Sequence, residues 1–397
     1  MSLSQDIVPG RHRPGTFSRL AAWWGPRPLL QAVALAGLAV AAWLLADNMF
    51  ATMSRIGVTP GFDFLGRSAN FEIGEKSMAF QAGDPYARAI LVGLLNTVKV
   101  ALLGCVLATV LGVVLGVAGL SGNLLLASLV RWYVEIVRNT PLLLQLFFWI
   151  ALAKSFPAPR QAISAFGAFF LTNRGVYVPW LVWLGGTGGA VLTAAILAVF
   201  TIVALVLLRR RGLLKGRRLS YAALAALLAV ALVLAATGVR LGFETPKLSG
   251  FNIRGGYNLT PEFAALLTGL VVKFSAAIAE IVRAGIQSVN SGQWEAARAL
   301  GLHGGQIMRL IVLPQALRVI TPLTTSSYLD LTKDSSLAVA IGYPDLVSII
   351  NTTANTTGQS FEALVILISI YLALNLSVSA AMNVYNRRVA LRGAERR

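Results

Sequence analysis

The chain has 397 residues, of which 56% are hydrophobic and only 13% are charged, and its mean hydropathy is +0.71. Soluble domains carry about 25% charged residues, so this composition excludes a soluble enzyme, a disordered protein and a disulfide-stapled secreted domain. A polytopic membrane protein remains. The formal charge of +18, from 34 Lys and Arg against 16 Asp and Glu, indicates either a nucleic-acid-binding surface or loops that face a cytoplasm.

Eight apolar segments are long enough to cross a bilayer, which takes about 20 mostly apolar residues. In chain order they are 29–46, 90–120, 129–153, 190–208, 221–236, 261–285, 319–341 and 363–385. The first is longer than the apolar core of a cleaved signal peptide, so we predict that it stays as a membrane helix. The second contains Gly112 and Gly116, whose spacing permits another helix to approach closely.

Lys and Arg are concentrated on one face of this predicted topology. The tails 1–28 and 389–397 and the loop 209–218 are all rich in Arg. Loops with an excess of basic residues stay in the cytoplasm, so we expect both tails to be cytoplasmic. The basic residues are spread over separate loops at the span ends and not gathered on one folded surface. This distribution argues against a nucleic-acid partner.

Few residues are available for metal, redox or nucleotide chemistry. Cys105 is the only cysteine and cannot form an internal disulfide, and two histidines cannot build an ordinary zinc site. No G-x-x-x-x-G-K-[ST] phosphate loop occurs, since residues 74–77, Gly-Glu-Lys-Ser, have the wrong order. We therefore expect no catalytic site, metal or cofactor on this chain.

A short polar segment lies between the sixth and seventh apolar segments, on the predicted cytoplasmic face. Asn290 or Ser291 can cap a short helix there, and the alanines that follow favour helix. Gly301 can take the left-handed conformation that ends a helix, and Pro314 breaks or kinks the chain as it returns to the membrane. By these features alone, an amphipathic interfacial helix, of the kind that many membrane proteins have, is the favoured interpretation.

The spacing within this segment resembles the signature of the integral membrane subunits of ATP-binding-cassette (ABC) importers. The matching residues are Glu295, Ala296, Ala297, Gly301, Ile311, Leu313 and Pro314, without a departure from the pattern. The resemblance implies that residues 290–314 form the coupling loop, which docks on a separate cytoplasmic ATPase. It also implies that Glu295 and Gly301 make the main contacts with that ATPase.

Three further blocks resemble the polar amino-acid permeases of the histidine/glutamine type. They are 133–145, 279–293 and 333–337, and the resemblance covers about 86–388. Such permeases commonly have a five-helix core, to which this chain adds the helix 29–46 and two inserted helices at about 190–236. The insertion and the stretch 173–179 are similar to the larger permease subunit of general L-amino-acid systems. The implied fold is an all-α polytopic membrane protein, a type I ABC importer transmembrane domain with about eight helices.

The resemblance also implies a function and a set of partners. This chain would be a non-catalytic permease subunit for polar L-amino acids in the bacterial inner membrane. Its partners would be the lipid bilayer, a homodimeric ATPase that uses ATP and Mg, a second permease subunit and a periplasmic amino-acid-binding protein. An ion-coupled secondary amino-acid transporter that uses Asp330, Lys333 and Asp334 is the alternative.

Polar residues within the apolar segments are candidates for the substrate path, because an ionisable group is costly inside a bilayer. The candidates are Glu135, Arg138, Asn139, Thr140, Gln145, Glu280, Arg283, Lys333 and Asp334. An arginine here could bind a substrate carboxylate through its two-pronged donor geometry. Residues three apart share a helix face, however, so Glu135 with Arg138 and Glu280 with Arg283 could equally be intrahelical ion pairs.

Three other polar features remain open in the sequence. Lys273 lies in the middle of the sixth segment and has no evident partner. Lys99 is predicted to snorkel or to pack against its neighbours. Residues 351–357, rich in Asn and Thr, are predicted to form an external loop.

Overall fold

The computed structural model describes residues 27–55, 57, 61–184 and 240–391, together with five isolated positions between 201 and 228. The predicted spans 190–208 and 221–236 lie outside the described residues except for those positions, and so do most of the N-terminal tail and the end of the C-terminal tail. The helices, numbered here in chain order, are α1 (Pro28–Arg55), α2 (Tyr86–Ala118), α3 (Leu124–Asn139), α4 (Leu142–Ser155), α5 (Pro261–Gln287), α6 (Ser291–Ala299), α7 (Gly304–Ile307), α8 (Leu313–Asp334), α9 (Leu346–Thr357) and α10 (Ser360–Leu391).

The apolar helices confirm a multi-pass membrane architecture. In the described ranges, five helical stretches are long and apolar enough to cross a bilayer: Leu29–Thr52, Tyr86–Ala118, Pro261–Gln287, Gly304–Ile341 and Ser360–Arg387. The pair α3 and α4 adds a sixth crossing if it is counted as one broken span. These correspond to six of the eight predicted spans, and the total of eight stays a prediction.

The third predicted span is not one continuous helix. It consists of α3 and α4, which are bent by 105° at a short break. Thr140 and Pro141 have extended backbone there, with ψ of 128° and 135°. Pro141 explains the break, because its ring disfavours helical geometry at the preceding residue and it has no N–H to donate.

The chain around the seventh and eighth predicted spans also differs from the prediction. The seventh span starts earlier, since α8 begins at Leu313, and it ends in a 3₁₀ helix, Ser335–Ile341. The predicted external loop at 351–357 is wrong, because these residues belong to α9. The Asp345 side chain caps α9 by accepting a bond from the Ser348 N–H at 2.8 Å, and Gly358 ends it at φ 73°. Helix α9 packs against α2 and α10.

Short β-strands between α4 and α5 are a feature that the all-α expectation missed. The strands are β1 (Ile163–Ala165), β2 (Phe169–Thr172), β3 (Gly175–Val178), β4 (Trp180–Leu184), β5 (Arg240–Glu244), β6 (Lys247–Ser249), β7 (Asn252–Arg254) and β8 (Tyr257–Leu259). They pair antiparallel in the order β1-β2-β3-β8, with two separate hairpins, β4-β5 and β6-β7. The backbone of Leu184 pairs with that of Arg240, so the two ends of the inserted segment lie side by side.

Helices α2 and α5 approach each other closely through two glycines. A Cβ atom on Gly112 would lie 2.7 Å from the Cβ of Ile278 and 2.9 Å from the carbonyl oxygen of Ser275. A Cβ atom on Gly116 would lie 2.8 Å from the carbonyl oxygen of Ala279. Neither position has room for a larger residue, which confirms the prediction from their spacing.

Polar side chains of α2 form bonds with the segment that precedes this helix and with Pro344. The Asn96 amide donates to the carbonyl oxygens of Glu75 and Pro344 at 2.9 and 2.8 Å and accepts from the Ser77 hydroxyl at 2.6 Å. One turn away, Lys99 forms an ion pair with buried Glu75 at 2.5 Å. The Glu75 carboxylate also accepts a bond from Thr260, the residue that caps α5. Lys99 therefore packs against a charged partner and does not snorkel.

We predict that Gly112→Ala lowers the melting temperature of the purified protein in detergent. The added methyl group would press on backbone and on a branched side chain, and overpacking of this kind costs about 1–3 kcal/mol. Gly104→Ala is the matched control on the same helix, since its methyl group would meet only the flexible end of Leu331 at 3.2 Å. Equal melting temperatures for the two variants would contradict the close-approach model.

We predict that Lys99→Met destabilises the protein strongly, because it leaves Glu75 charged and buried. Loss of one partner of a buried pair costs about 3–5 kcal/mol. Lys154→Met is the control, since the Lys154–Glu262 pair at 3.5 Å has a lysine side chain that is 59% exposed, and such pairs contribute about 0–1 kcal/mol. Thermal unfolding of both variants tests this, and the prediction is wrong if Lys99→Met unfolds no earlier than Lys154→Met.

Candidate functional site

The predicted short helix outside the apolar spans is present as α6. The Asn290 side chain caps it by accepting a bond from the Gly292 N–H at 2.8 Å. The helix ends at Ala299, and Gly301, two residues later, has a φ of +76° in the left-handed region, as the sequence predicts. This conformation favours glycine and turns the chain sharply towards α7.

The signature residues of this loop divide into a buried set and an exposed set. Ala297 is 1% exposed and packs in the core with Ile307 and Val312, and Ile311 packs against the same cluster. Glu295, Ala296, Gly301, Leu313 and Pro314 are exposed. The buried set fixes α6 to the membrane domain, and the exposed residues of α6 and its C-terminal end form an exposed surface.

Leu300 belongs to this surface and was missed by the sequence reasoning. Its side chain is 79% exposed and lies between Ala299 and Gly301 at the C-terminal end of α6. A large apolar residue directly after a short helix, next to the glycine that follows it, is the signal that could have identified it.

Between α7 and α8 the helix type changes twice, from α to π and back to α. Residues Met308–Val312 form a π-helix, and α8 follows directly with Pro314 in its first turn. Proline has no N–H and clashes with the preceding turn, so the wider π turn accommodates it. The predicted break at Pro314 is therefore a change of helical pitch and not an interruption of the helix.

A charged cavity of about 540 Å³ lies between α2, α3 and α5. Five of the predicted path residues line it: Glu135, Arg138, Asn139, Glu280 and Arg283. Arg131 and Gln287 also line it, towards the ends of α3 and α5 that connect to the short loops. The cavity brings together charged residues from two helices that are far apart in sequence.

The two predicted intrahelical pairs behave differently. Arg283 holds the Glu280 carboxylate with two bonds of 2.5 and 3.0 Å and donates a third to the Gln287 side chain at 2.7 Å. Glu135 and Arg138 are both described, and the described chain contains no ion pair between them or to another residue. Of the two predicted intrahelical ion pairs, only Glu280–Arg283 on α5 is formed.

Thr140, Gln145 and Lys273 stabilise the break between α3 and α4. The Lys273 ammonium group donates to the carbonyl oxygens of Arg138 and Thr140 at 3.2 and 3.4 Å. The Gln145 amide donates to the carbonyl oxygens of Val137 and Thr140, each at 3.0 Å. These bonds satisfy backbone groups that the break removes from the helix, so Lys273 has the partners that the sequence did not reveal.

Lys333 and Asp334 do not line the charged cavity. They lie at the end of α8, where Lys333 pairs with Asp330 at 3.7 Å and both side chains are more than half exposed. A weak, exposed pair of neighbours on one helix does not favour the ion-coupled alternative.

Comparison with known proteins agrees with this geometry. Residues 227–391 match the model of the family described as "Binding-protein-dependent transport system inner membrane component". YhdX of Escherichia coli (strain K12), which bears the name of an amino-acid ABC transporter permease protein, is 46% identical over 91% of this chain and 93% of its own. The general L-amino acid transport system permease protein AapQ of Rhizobium johnstonii is 40% identical over 88% of each chain.

A third relative is also similar to this chain over nearly its full length. The glutamate/glutamine/aspartate/asparagine transport system permease protein BztB of Rhodobacter capsulatus is 38% identical over 90% of this chain and 91% of its own. All three similarities extend over nearly the full length of both chains, including the region outside the family match. The chain therefore belongs to the family of amino-acid ABC transporter permeases, the inner membrane components of binding-protein-dependent transport systems.

Proposed function

We propose that this chain is the transmembrane permease subunit of an ATP-driven importer that carries polar L-amino acids across the bacterial inner membrane. The observation that carries the proposal is the exposed docking surface of α6, with the complete signature spacing, in a chain of this family. The names of AapQ and BztB, which mention general L-amino acids and glutamate, glutamine, aspartate and asparagine, support the substrate class.

In this proposal the loop 290–314 docks on a separate ATPase homodimer, which binds ATP and Mg, through a docking surface made by the exposed residues of α6 and its C-terminal end as far as Gly301. Glu295 offers a charge that fixes orientation, and Ala296, Leu300 and Gly301 form a small apolar surface around it. Only residues 288–290 separate α6 from α5. A movement of α6 with the ATPase would therefore move the Glu280–Arg283 wall of the cavity. The ATP state would favour one cavity conformation by differential contact with α6.

The proposed orientation places the loop and both tails in the cytoplasm. The Arg-rich tails and the predicted basic loop 209–218 support it. The proposed partners are a periplasmic amino-acid-binding protein, which delivers the substrate, and a second permease chain, which completes the path. The description of the family as binding-protein-dependent supports the first of these partners.

The proposed substrate path is the charged cavity between α2, α3 and α5. Its volume of about 540 Å³ falls in the usual range for small-molecule sites. Glu135, Arg138, Asn139, Glu280 and Arg283 line the path, while Thr140 and Gln145 maintain the helix break at its side. Lys333 and Asp334 are left out, because they do not line this cavity.

Reconstitution tests the proposed function directly. The chain, purified with its neighbouring gene products and placed in liposomes, should take up L-glutamine only when ATP and Mg are supplied on the ATPase side. A proton or sodium gradient without ATP should drive no uptake. Gradient-driven uptake by this chain alone would refute the proposal and establish the ion-coupled alternative.

Gly301→Asp should abolish ATP-driven uptake while leaving the protein in the membrane. No atom lies within 4 Å of the position where a side chain would start, and aspartate tolerates the left-handed backbone better than most residues. The change therefore acts by placing a charge on the docking surface.

Gly304→Asp is the matched control for this variant. It adds the same charge in the same loop at the start of α7, also with no atom within 4 Å. Its uptake should stay near the wild-type rate, with membrane abundance of both variants measured in parallel. Normal transport by Gly301→Asp would show that α6 does not couple to the ATPase.

A further inference from the structure

The turn between β1 and β2 carries Phe166, whose side chain is 98% exposed. The Ala168 N–H donates to the carbonyl oxygen of Ala165 at 3.3 Å and closes a tight turn. The two residues inside it, Phe166 and Gly167, have φ of +53° and +65°. Hairpin turns with positive φ at both central residues favour Asn, Asp or Gly there, and a bulky side chain in this region is strained. Phe166 therefore neither adds to the core nor favours the turn that contains it.

Residues 156–184 and 240–259, which we call the strand module, also carry unfavourable charges. In the hairpin β6-β7, Lys247 and Arg254 are exposed and lie directly opposite each other, an arrangement that destabilises a strand pair. Glu244 is the only acidic residue in the module. Its exposed basic residues include Arg160, Arg174, Lys247 and Arg254. The strand module thus presents an excess of positive charge together with an exposed aromatic ring.

The strand register places the turn of Phe166 at the end of the sheet that is remote from α5. Strand β8 ends at Leu259, two residues before α5 begins. Leu259 pairs with Val176 near the start of β3, and the end of β2 pairs with Gly175, so these strand ends lie beside the start of α5. The turn between β1 and β2 lies at the opposite end of the sheet. Phe166 is thus on the side away from the membrane helix, which favours a partner in the aqueous phase over lipid.

We infer that the strand module docks the external amino-acid-binding protein, with Phe166 as the central contact. The ring enters an apolar pocket on that protein, and acidic groups around the pocket pair with the basic residues of the module. This inference rests on the proposed function, because it assigns that partner an attachment site on this chain. No residue of the module lines the charged cavity, so the site concerns delivery of the substrate and not its passage.

A contact with an acidic protein accounts for both unfavourable features. Burial of an exposed aromatic ring releases the water around it, and aromatic side chains are enriched among the residues that dominate binding energy. Acidic groups on the partner would offset the repulsion between Lys247 and Arg254 and would speed association. A neutral surface would cover the ring and leave the repulsion in place. The excess of positive charge therefore favours an acidic surface on the partner.

The affinity of the purified permease–ATPase complex for its external amino-acid-binding protein, measured in nanodiscs, tests this inference. Phe166→Asn should weaken binding about tenfold or more. Its melting temperature should stay the same or rise, because asparagine tolerates the left-handed backbone better than phenylalanine. A purely structural role for Phe166 predicts the reverse, unchanged binding with a lower melting temperature, and that result would overturn the inference.

Phe243→Ala is the matched control, since Phe243 is 74% exposed on β5, in the separate hairpin β4-β5. Its binding should equal that of wild type, and an equal loss of affinity in both variants would contradict a specific role for Phe166. Lys247→Gln should weaken binding at low salt, and its difference from wild type should shrink as salt screens the charges. Binding that responds neither to this substitution nor to salt would refute the acidic partner surface.

A photo-crosslinker at position 166 identifies what the turn contacts and does not depend on a loss of affinity. Phe166→p-benzoylphenylalanine keeps an aromatic ring at the tip, and the complex is illuminated in nanodiscs with the purified binding protein present. A crosslink to the binding protein supports the inference. Crosslinks only to lipid, crosslinks only to another permease chain, or no crosslink at all would overturn it.

ATP-driven uptake by the wild-type complex with its binding protein separates failure of the docking site from failure of the proposed function. Uptake together with unchanged binding in Phe166→Asn refutes the docking site and leaves the importer function standing. Absence of ATP-driven uptake in the wild-type complex refutes the importer function itself. The assembly of each variant is measured alongside, and a loss of binding supports the inference only in variants that remain assembled.

Discussion

The close approach of α2 and α5 at Gly112 and Gly116 is the constraint on which the rest of the described structure depends. Without a Cβ atom at either position, the backbones of the two helices come nearly into contact. Lipid tails are as apolar as the side chains they would replace, so membrane helices associate through tight packing of this kind. The contact sets where α5 lies, and α5 in turn carries one wall of the cavity and leads into the loop 290–314.

Buried polar groups then have to be satisfied by the protein, because the bilayer core offers no water. The break between α3 and α4 exposes backbone carbonyl groups, and Lys273 and Gln145 bond them. On α2, Asn96 and Lys99 perform a similar task for the segment that precedes the helix. Polar residues that interrupt an apolar run can thus form structural bonds over long sequence distances.

The sequence separation of such bonds also explains what the sequence could reveal. The loop helix α6, its cap at Asn290 and its end at Gly301 depend on residues within one short segment, and all of them were predictable. Lys273 bonds to the carbonyl groups of Arg138 and Thr140, which lie 135 and 133 positions away along the chain. No local sequence pattern can indicate bonds over such a separation. The short strands were missed because each has only three to five residues, too few for a clear alternation. Residues 351–357 were assigned to a loop from their polarity, although Asp345 caps a helix there.

Helix α5 connects the features that a transporter of this family has to coordinate. Near its middle, Lys273 bonds to the backbone at the break between α3 and α4. In the following turns, the ion pair Glu280–Arg283 lines the cavity. Only three residues separate the end of α5 from α6. A helix transmits displacement along its axis because its backbone bonds are internal and continuous. Packed interfaces rearrange between discrete arrangements and do not deform continuously. In the proposed function, a shift of α6 would therefore reach the cavity wall and the break together.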